Sequence, residues 1–135
     1  MKVARPALVK TILGTPVPVY RSATIEQRRG VDQMLRSILP ISRRVAGIWN
    51  DSDVASNLTR YPLEEMLVPA LVISTADDLY DTYESALYTA EQIRDGRFAG
   101  FSTGGHLLLG HEAEVRSEIT SFLQEHLGAR TAVAV

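Results

Sequence analysis

Apolar residues recur at helical spacing through the first part of the chain and give way, near residue 67, to a short continuous apolar run. After Thr24, the residues Val31, Met34, Leu35, Ile38 and Leu39 form one stripe that Pro40 ends, and Thr24 with Gln27 has the spacing of a capping box. A second helix is expected from Ser42 through Val45, Ala46 and Trp49, fraying in the polar run Asn50, Asp51, Ser52, Asp53. Pro6, Gly14, Pro16, Pro18, Pro40 and Pro62 punctuate residues 1–65 into short helices, and no buried strand is expected there.

The run Leu67-Val68-Pro69-Ala70-Leu71-Val72-Ile73 reads as a strand buried on both faces, with Pro69 tolerated near its start. Asp81, three residues before Glu84, is placed to cap a helix carrying Ala86, Leu87, Ala90 and Ile93 on its apolar side. Asp95-Gly96 then makes a turn, Arg97 to Phe101 a second strand, and Ser102 to Gly105 a loop. A last helix carries Val115, Ile119, Phe122, Leu123 and Leu127, with Gly128 as its stop. Strand, helix, strand, helix at this spacing predicts an α/β fold with parallel strands. The chain therefore divides into a helical segment at 1–65, a β-α-β-α unit at 66–129 and a frayed tail at 130–135.

Composition narrows the possible chemistry. At 135 residues, with 45% hydrophobic and 22% charged, the chain has the make-up of one ordinary domain. Its net charge of -2 comes from scattered charges of both signs, without the basic stripe that phosphate neutralisation requires, so nucleic acid is not an expected partner. The absence of cysteine excludes disulfides, thiolate metal sites and thiol redox chemistry. Arg5 and Pro6 interrupt any signal-peptide core, and no stretch reaches the roughly 18 apolar residues of a membrane span. A cytoplasmic protein is the resulting expectation. Asp77, Asp78 and Asp81 with His106 and His111 have no recognised metal spacing, so neither metal nor cofactor is expected.

Parallel sheets carry their functional groups just beyond the carboxyl ends of the strands. The first strand runs out into Ser74-Thr75-Ala76-Asp77-Asp78 and the second into Gly104-Gly105-His106, so an acid and an imidazole can meet across adjacent strand ends. A carboxylate that accepts the Nδ1 proton fixes the imidazole tautomer and leaves Nε2 as a general base.

These residues resemble the end of an α/β-fold hydrolase. The resemblance spans Leu67 to about Leu127 and rests on Leu71 to Asp78, Arg97 to Phe101 and Gly104-Gly105-His106. It implies a partial α/β-hydrolase fold in which Asp78 is the triad acid, with Asp77 the alternative register, and His106 the triad histidine. It also implies that residues from Val3 to Asn57 form the end of a lid. The expected activity is hydrolysis of an ester or related small molecule.

The family's order is nucleophile, acid, histidine, with the nucleophile in a G-x-S-x-G elbow between strand and helix. No such elbow precedes Asp78, and the oxyanion-hole segment is also missing. The one literal match, Gly100-Phe101-Ser102-Thr103-Gly104, puts Ser102 four positions before His106 and lacks a helix directly behind it. The chain is therefore expected to be inactive alone and to self-associate or to join an N-terminal partner chain, as in a split hydrolase. The alternative is a non-catalytic interaction module. Trp49, Tyr80, Tyr83 and Tyr88 either pack or line a pocket, and Leu107-Leu108-Leu109 either shape an apolar pocket or dock the last helix. His111 and His126 are expected near the start and end of that helix.

Overall fold

The computed structural model describes residues 4–132, with side chains over 5–127, and shows a mixed α/β chain of six α-helices and a two-stranded parallel sheet. It divides into two compact units, Thr24–Pro62 on the one hand and Met1–Ala23 with Leu63–Val135 on the other. The expected 1–65 helical segment thus contributes its first helices to the unit that contains the sheet.

In the smaller unit, α3 (Ile25–Ile38) opens on the anticipated capping box: Gln27 N–H donates to Thr24 Oγ1 at 3.2 Å, and Thr24 N–H to Gln27 Oε1 at 2.7 Å. Val31 and Leu35 of its stripe are buried. At its other end the Arg44 guanidinium donates to the carbonyls of Ser37 and Ile38, placing a cation where the helix dipole favours one. A single 3-10 turn, Ile41–Arg43, leads into α4 (Val45–Ser56). Contrary to expectation α4 does not fray at Asn50. Ser52 and Ser56 return their hydroxyls to the carbonyls of Ile48 and Ser52, so these polar side chains bond within the helix.

In the larger unit, α1 (Ala4–Ile12) and α2 (Val17–Ser22) are joined by Leu13 to Pro16 and bury Val9, Leu13 and Tyr20. Strand β1 (Ala70–Thr75) pairs with β2 (Gly96–Phe101) in parallel, from Ala70 opposite Gly96 to Thr75 opposite Phe101. The strand begins three residues later than the apolar run suggested. β2 starts at Gly96, opposite Ala70, so Leu67 and Val68 have no ladder partner and lie exposed. Nor is β1 buried on both faces. A two-stranded sheet leaves each strand an open edge, and Ala70 to Ile73 are only half-buried.

Helix α5 (Thr82–Gln92) packs against both strands, burying Ala90, with Ile93 buried just beyond its end. Asp81 holds its N-cap position without a side-chain cap, because its φ of 53° is left-handed rather than the extended form a capping side chain uses. Helix α6 (Glu112–Ala132) reaches β1 and is tied to β2 by the Arg97–Glu118 ion pair at 2.5 Å. It continues through Gly128, which costs a helix about 1 kcal/mol relative to alanine but does not by itself stop one. The expected tail is therefore helical to Ala132, and residues 133–135 lie outside the described residues. No helix among the described residues is long and apolar enough to cross a membrane.

Candidate functional site

Among the described residues, the buried polar side chains are Thr15, Ser74, Thr75 and Asp78, and they gather where β1 ends. Burying polar groups is unfavourable unless their hydrogen bonds are met. Here Ser74, Thr75 and Asp78 meet theirs within the loops that follow the two strands and the start of α5, and Thr15 donates its hydroxyl to the Leu13 carbonyl at 2.9 Å.

Asp78 leaves the strand through the turn in which its N–H donates to the Thr75 carbonyl at 3.3 Å. Its Oδ2 lies 2.9 Å from His106 Nδ1, and its Oδ1 accepts the N–H of Tyr80 at 2.9 Å. Thr82, the first residue of α5, donates its hydroxyl to Oδ2 as well. A carboxylate only accepts, so Thr82 commits its single proton to Asp78 and must itself accept from Ser74 Oγ, 3.0 Å away. The same logic puts the imidazole proton on Nδ1. Burial alone pushes the Asp78 carboxyl up, but the hydrogen bonds from Thr82, His106 and the Tyr80 N–H outweigh it and hold the group below the usual carboxylate range.

His106 stands on the loop that follows β2. The peptide group of Gly105 is bound on both sides, its N–H by Asp77 Oδ1 at 2.8 Å and its carbonyl by the Thr75 hydroxyl at 3.0 Å. Gly105 is needed there. Its φ is +60°, and a Cβ would come within 2.7 Å of the Thr15 backbone. The two aspartates therefore hold different groups. Asp78 faces the imidazole, and Asp77 ties down the peptide before it. The Asp78 side chain is 3% exposed, whereas that of His106 is 45% exposed, so the pair presents an open imidazole backed by a covered carboxylate.

A third segment, which no local sequence pattern singles out, meets both loops. The Gly14 carbonyl accepts the N–H of Leu79 at 2.9 Å and the N–H of His106 at 3.2 Å. Tyr80 donates its hydroxyl to the Ile12 carbonyl at 2.5 Å and sets its ring edge-on to His106, with centroids 4.7 Å apart. Nothing in the residues around Gly14 announces contacts with residues so distant in sequence. The only hint is Gly14-Thr15-Pro16 itself, a break between two helices.

The other residues singled out from sequence lie apart from this network. Ser102 follows β2 in a bend, ten residues before α6, and no hydrogen bond joins it to His106. His111 directly precedes α6 and stacks on Phe101 at 4.5 Å, and its Nδ1 is buried without a hydrogen bond. His126 lies 3.9 Å from Asp95 and leans on Phe122. Tyr83 packs edge-on against Phe98, while Trp49 and Tyr88 are exposed. Leu107 and Leu108 line a hollow of about 330 Å³ with Val115 and Ile119, edged by Glu112 and Arg116. Among the described residues no cluster of three or more His, Asp or Glu side chains is arranged to hold a metal ion.

The arrangement is chemically specific. A buried ionised carboxylate holds Nδ1 and orients the ring, while the second ring nitrogen remains for proton exchange. In comparison with known proteins, no family model, no curated protein and no solved structure matches this chain.

Proposed function

We propose that this chain supplies the acid and the histidine of an α/β-hydrolase-type site, that the nucleophile comes from an N-terminal partner chain, and that the chain without that partner self-associates. The single observation behind the reading is the 2.9 Å contact between Asp78 Oδ2 and His106 Nδ1 at the ends of parallel strands. In this reading His106 Nε2 takes the proton from the incoming nucleophile or from the water that follows it, and Asp78 stabilises the resulting imidazolium. The substrate class is an ester or a related small molecule.

The need for a partner is supported by the surface. Ile119, Leu123 and Leu127 form an exposed apolar stripe along α6, and both strands of the sheet have an unpaired edge. The same stripe favours a second reading, an interaction module that binds through α6 and performs no catalysis.

Sedimentation velocity and p-nitrophenyl butyrate hydrolysis separate the two. The hydrolase reading expects an assembly larger than the 14.9 kDa chain, with any turnover abolished by His106→Ala. A purified assembly whose turnover survives His106→Ala defeats it, and a complex with the N-terminal partner chain that shows no turnover on any ester tested favours the interaction module. A monodisperse, cooperatively melting monomer would overturn the partner requirement.

A further inference from the structure

Tyr80 touches both members of the Asp78–His106 pair and the distant turn that clasps them. Its backbone N–H donates to Asp78 Oδ1 at 2.9 Å, its ring meets the His106 ring at 4.7 Å and 72°, and its hydroxyl reaches the Ile12 carbonyl. The ring occupies space that the sequence leaves open for it. Gly14 has φ +55°, and a Cβ there would come within 2.9 Å of the Tyr80 ring and 3.0 Å of His106 Cβ. A glycine at this position therefore serves twice, providing the left-handed turn and the room for tyrosine and histidine to sit side by side.

Burial does not explain the placement of the tyrosine, because it is 49% exposed. A half-exposed aromatic ring ordinarily samples several rotamers, and fixing one carries an entropic cost. Tyr80 offsets that cost with a hydroxyl bond to a carbonyl 68 residues away in sequence. His106 is similarly open to solvent, and its single hydrogen-bonded ring nitrogen fixes the ring only as long as the side chain keeps one χ1 rotamer. A wall on one side of the imidazole supplies that restraint. Proton transfer by a histidine depends on such orientation, since the reacting atoms must lie within hydrogen-bond reach in a fixed direction.

We propose that Tyr80, anchored through its hydroxyl on the Ile12–Thr15 turn, is a positioning residue that holds the His106 imidazole in the rotamer facing Asp78. This rests on the reading of Asp78 and His106 as an acid–histidine pair. It assigns the turn after α1 to the architecture of the site, whereas the resemblance to hydrolases placed that stretch within a lid.

The test is an NMR measurement of the His106 Nδ1 proton and ring nitrogens in the 15N-labelled full chain, in whatever assembly it forms, so that no catalytic activity is needed. Tyr80→Phe removes only the anchoring hydroxyl, Tyr80→Leu removes the aromatic wall as well, and Tyr88→Leu on α5 is the control. The parent is expected to show a downfield Nδ1–H resonance. In Tyr80→Phe that proton should exchange with water roughly fivefold faster, the effect of losing one ordinary hydrogen bond. In Tyr80→Leu the resonance should be lost, and Tyr88→Leu should resemble the parent. An unchanged exchange rate in Tyr80→Phe together with an intact resonance in Tyr80→Leu overturns the positioning role while leaving the acid–histidine pair standing. If the parent shows no Nδ1–H resonance and an averaging imidazole, the pair itself falls and this inference with it. Should Tyr80→Leu lose its near-UV circular dichroism, the exchange rate in Tyr80→Phe alone decides.

Discussion

Thr82 donates its hydroxyl to the same oxygen of Asp78, Oδ2, that faces His106. The carboxylate therefore has two side-chain donors on one oxygen and a backbone donor on the other, and this combination keeps a buried acid ionised. Thr82→Val keeps the shape and deletes the donor. The Asp78 carboxyl is expected to titrate at higher pH than in the parent, with a stability loss of about 1.5–3 kcal/mol for a hydrogen bond to a charged group. A 13C-detected titration of the Asp78 carboxyl and a urea melt read the two effects, and identical titration curves would show that Thr82 contributes nothing.

The sign of the acid response follows from the same carboxylate. The Asp78 carboxyl is lower in the folded chain than its ordinary value, so the folded state binds fewer protons than the unfolded one as pH falls. The stabilisation is complete above the unfolded carboxylate range and is lost progressively from about pH 5 downward, until pH has fallen through the lower value of the folded chain. Urea midpoints measured from pH 7 to pH 3 should fall, and Asp78→Asn should flatten that fall. An equally steep loss in Asp78→Asn would assign acid lability to other groups.

Two glycines give opposite expectations for the same substitution. Gly14→Ala combines a left-handed backbone with contacts near 2.9 Å, and should cost about 1–3 kcal/mol. Gly30 lies inside α3 with nothing within 4 Å of an added Cβ, so Gly30→Ala should stabilise by about 0.4–1 kcal/mol. Calorimetric melting of both variants checks the contrast, and a Gly14→Ala chain that melts with the parent would contradict the clasp geometry.

Asp77 and Asp78 are neighbours with separable effects. Asp77→Ala leaves the Gly105 N–H without its acceptor and should cost about 1–3 kcal/mol, the penalty for an unmet polar group, while His106 keeps its hydrogen bond to Asp78. Amide exchange at Gly105 together with the His106 Nδ1 resonance distinguishes the two. Loss of that resonance in Asp77→Ala would mean that the aspartates act as one unit.

Local signals carried most of the secondary structure. The capping box at Thr24, the breakers at Pro16 and Pro40, and the helical stripes each depend on residues within a few positions of one another, and the corresponding elements form where expected. Expectations failed where distant pairing decides the outcome. Leu67 and Val68 look like strand residues but have no partner across the sheet, and Asp81 looks like a cap but takes a left-handed turn. At the site, Asp78 and His106 were visible because each ends a recognisable strand. Thr82 was not distinguished, Tyr80 was only one of four aromatics that either pack or line a pocket, and Gly14 only a break between helices, because their importance lies in what three separate parts of the chain bring to one point.

The adjacent amides of Gly105 and His106 report two different events in the assembly of the chain. Gly105 bonds to Asp77, a closure of 28 residues contained in the strand-helix-strand crossover, whereas His106 bonds to Gly14 across a far longer stretch. Longer loops close at greater entropic cost, by about 0.6 kcal/mol for each doubling of length. During refolding, pulse-labelled hydrogen exchange should therefore find the Gly105 amide protected before that of His106, one residue away. Between those two moments the acid and the imidazole would already be neighbours, while the clasp that fixes their backbone would still be open.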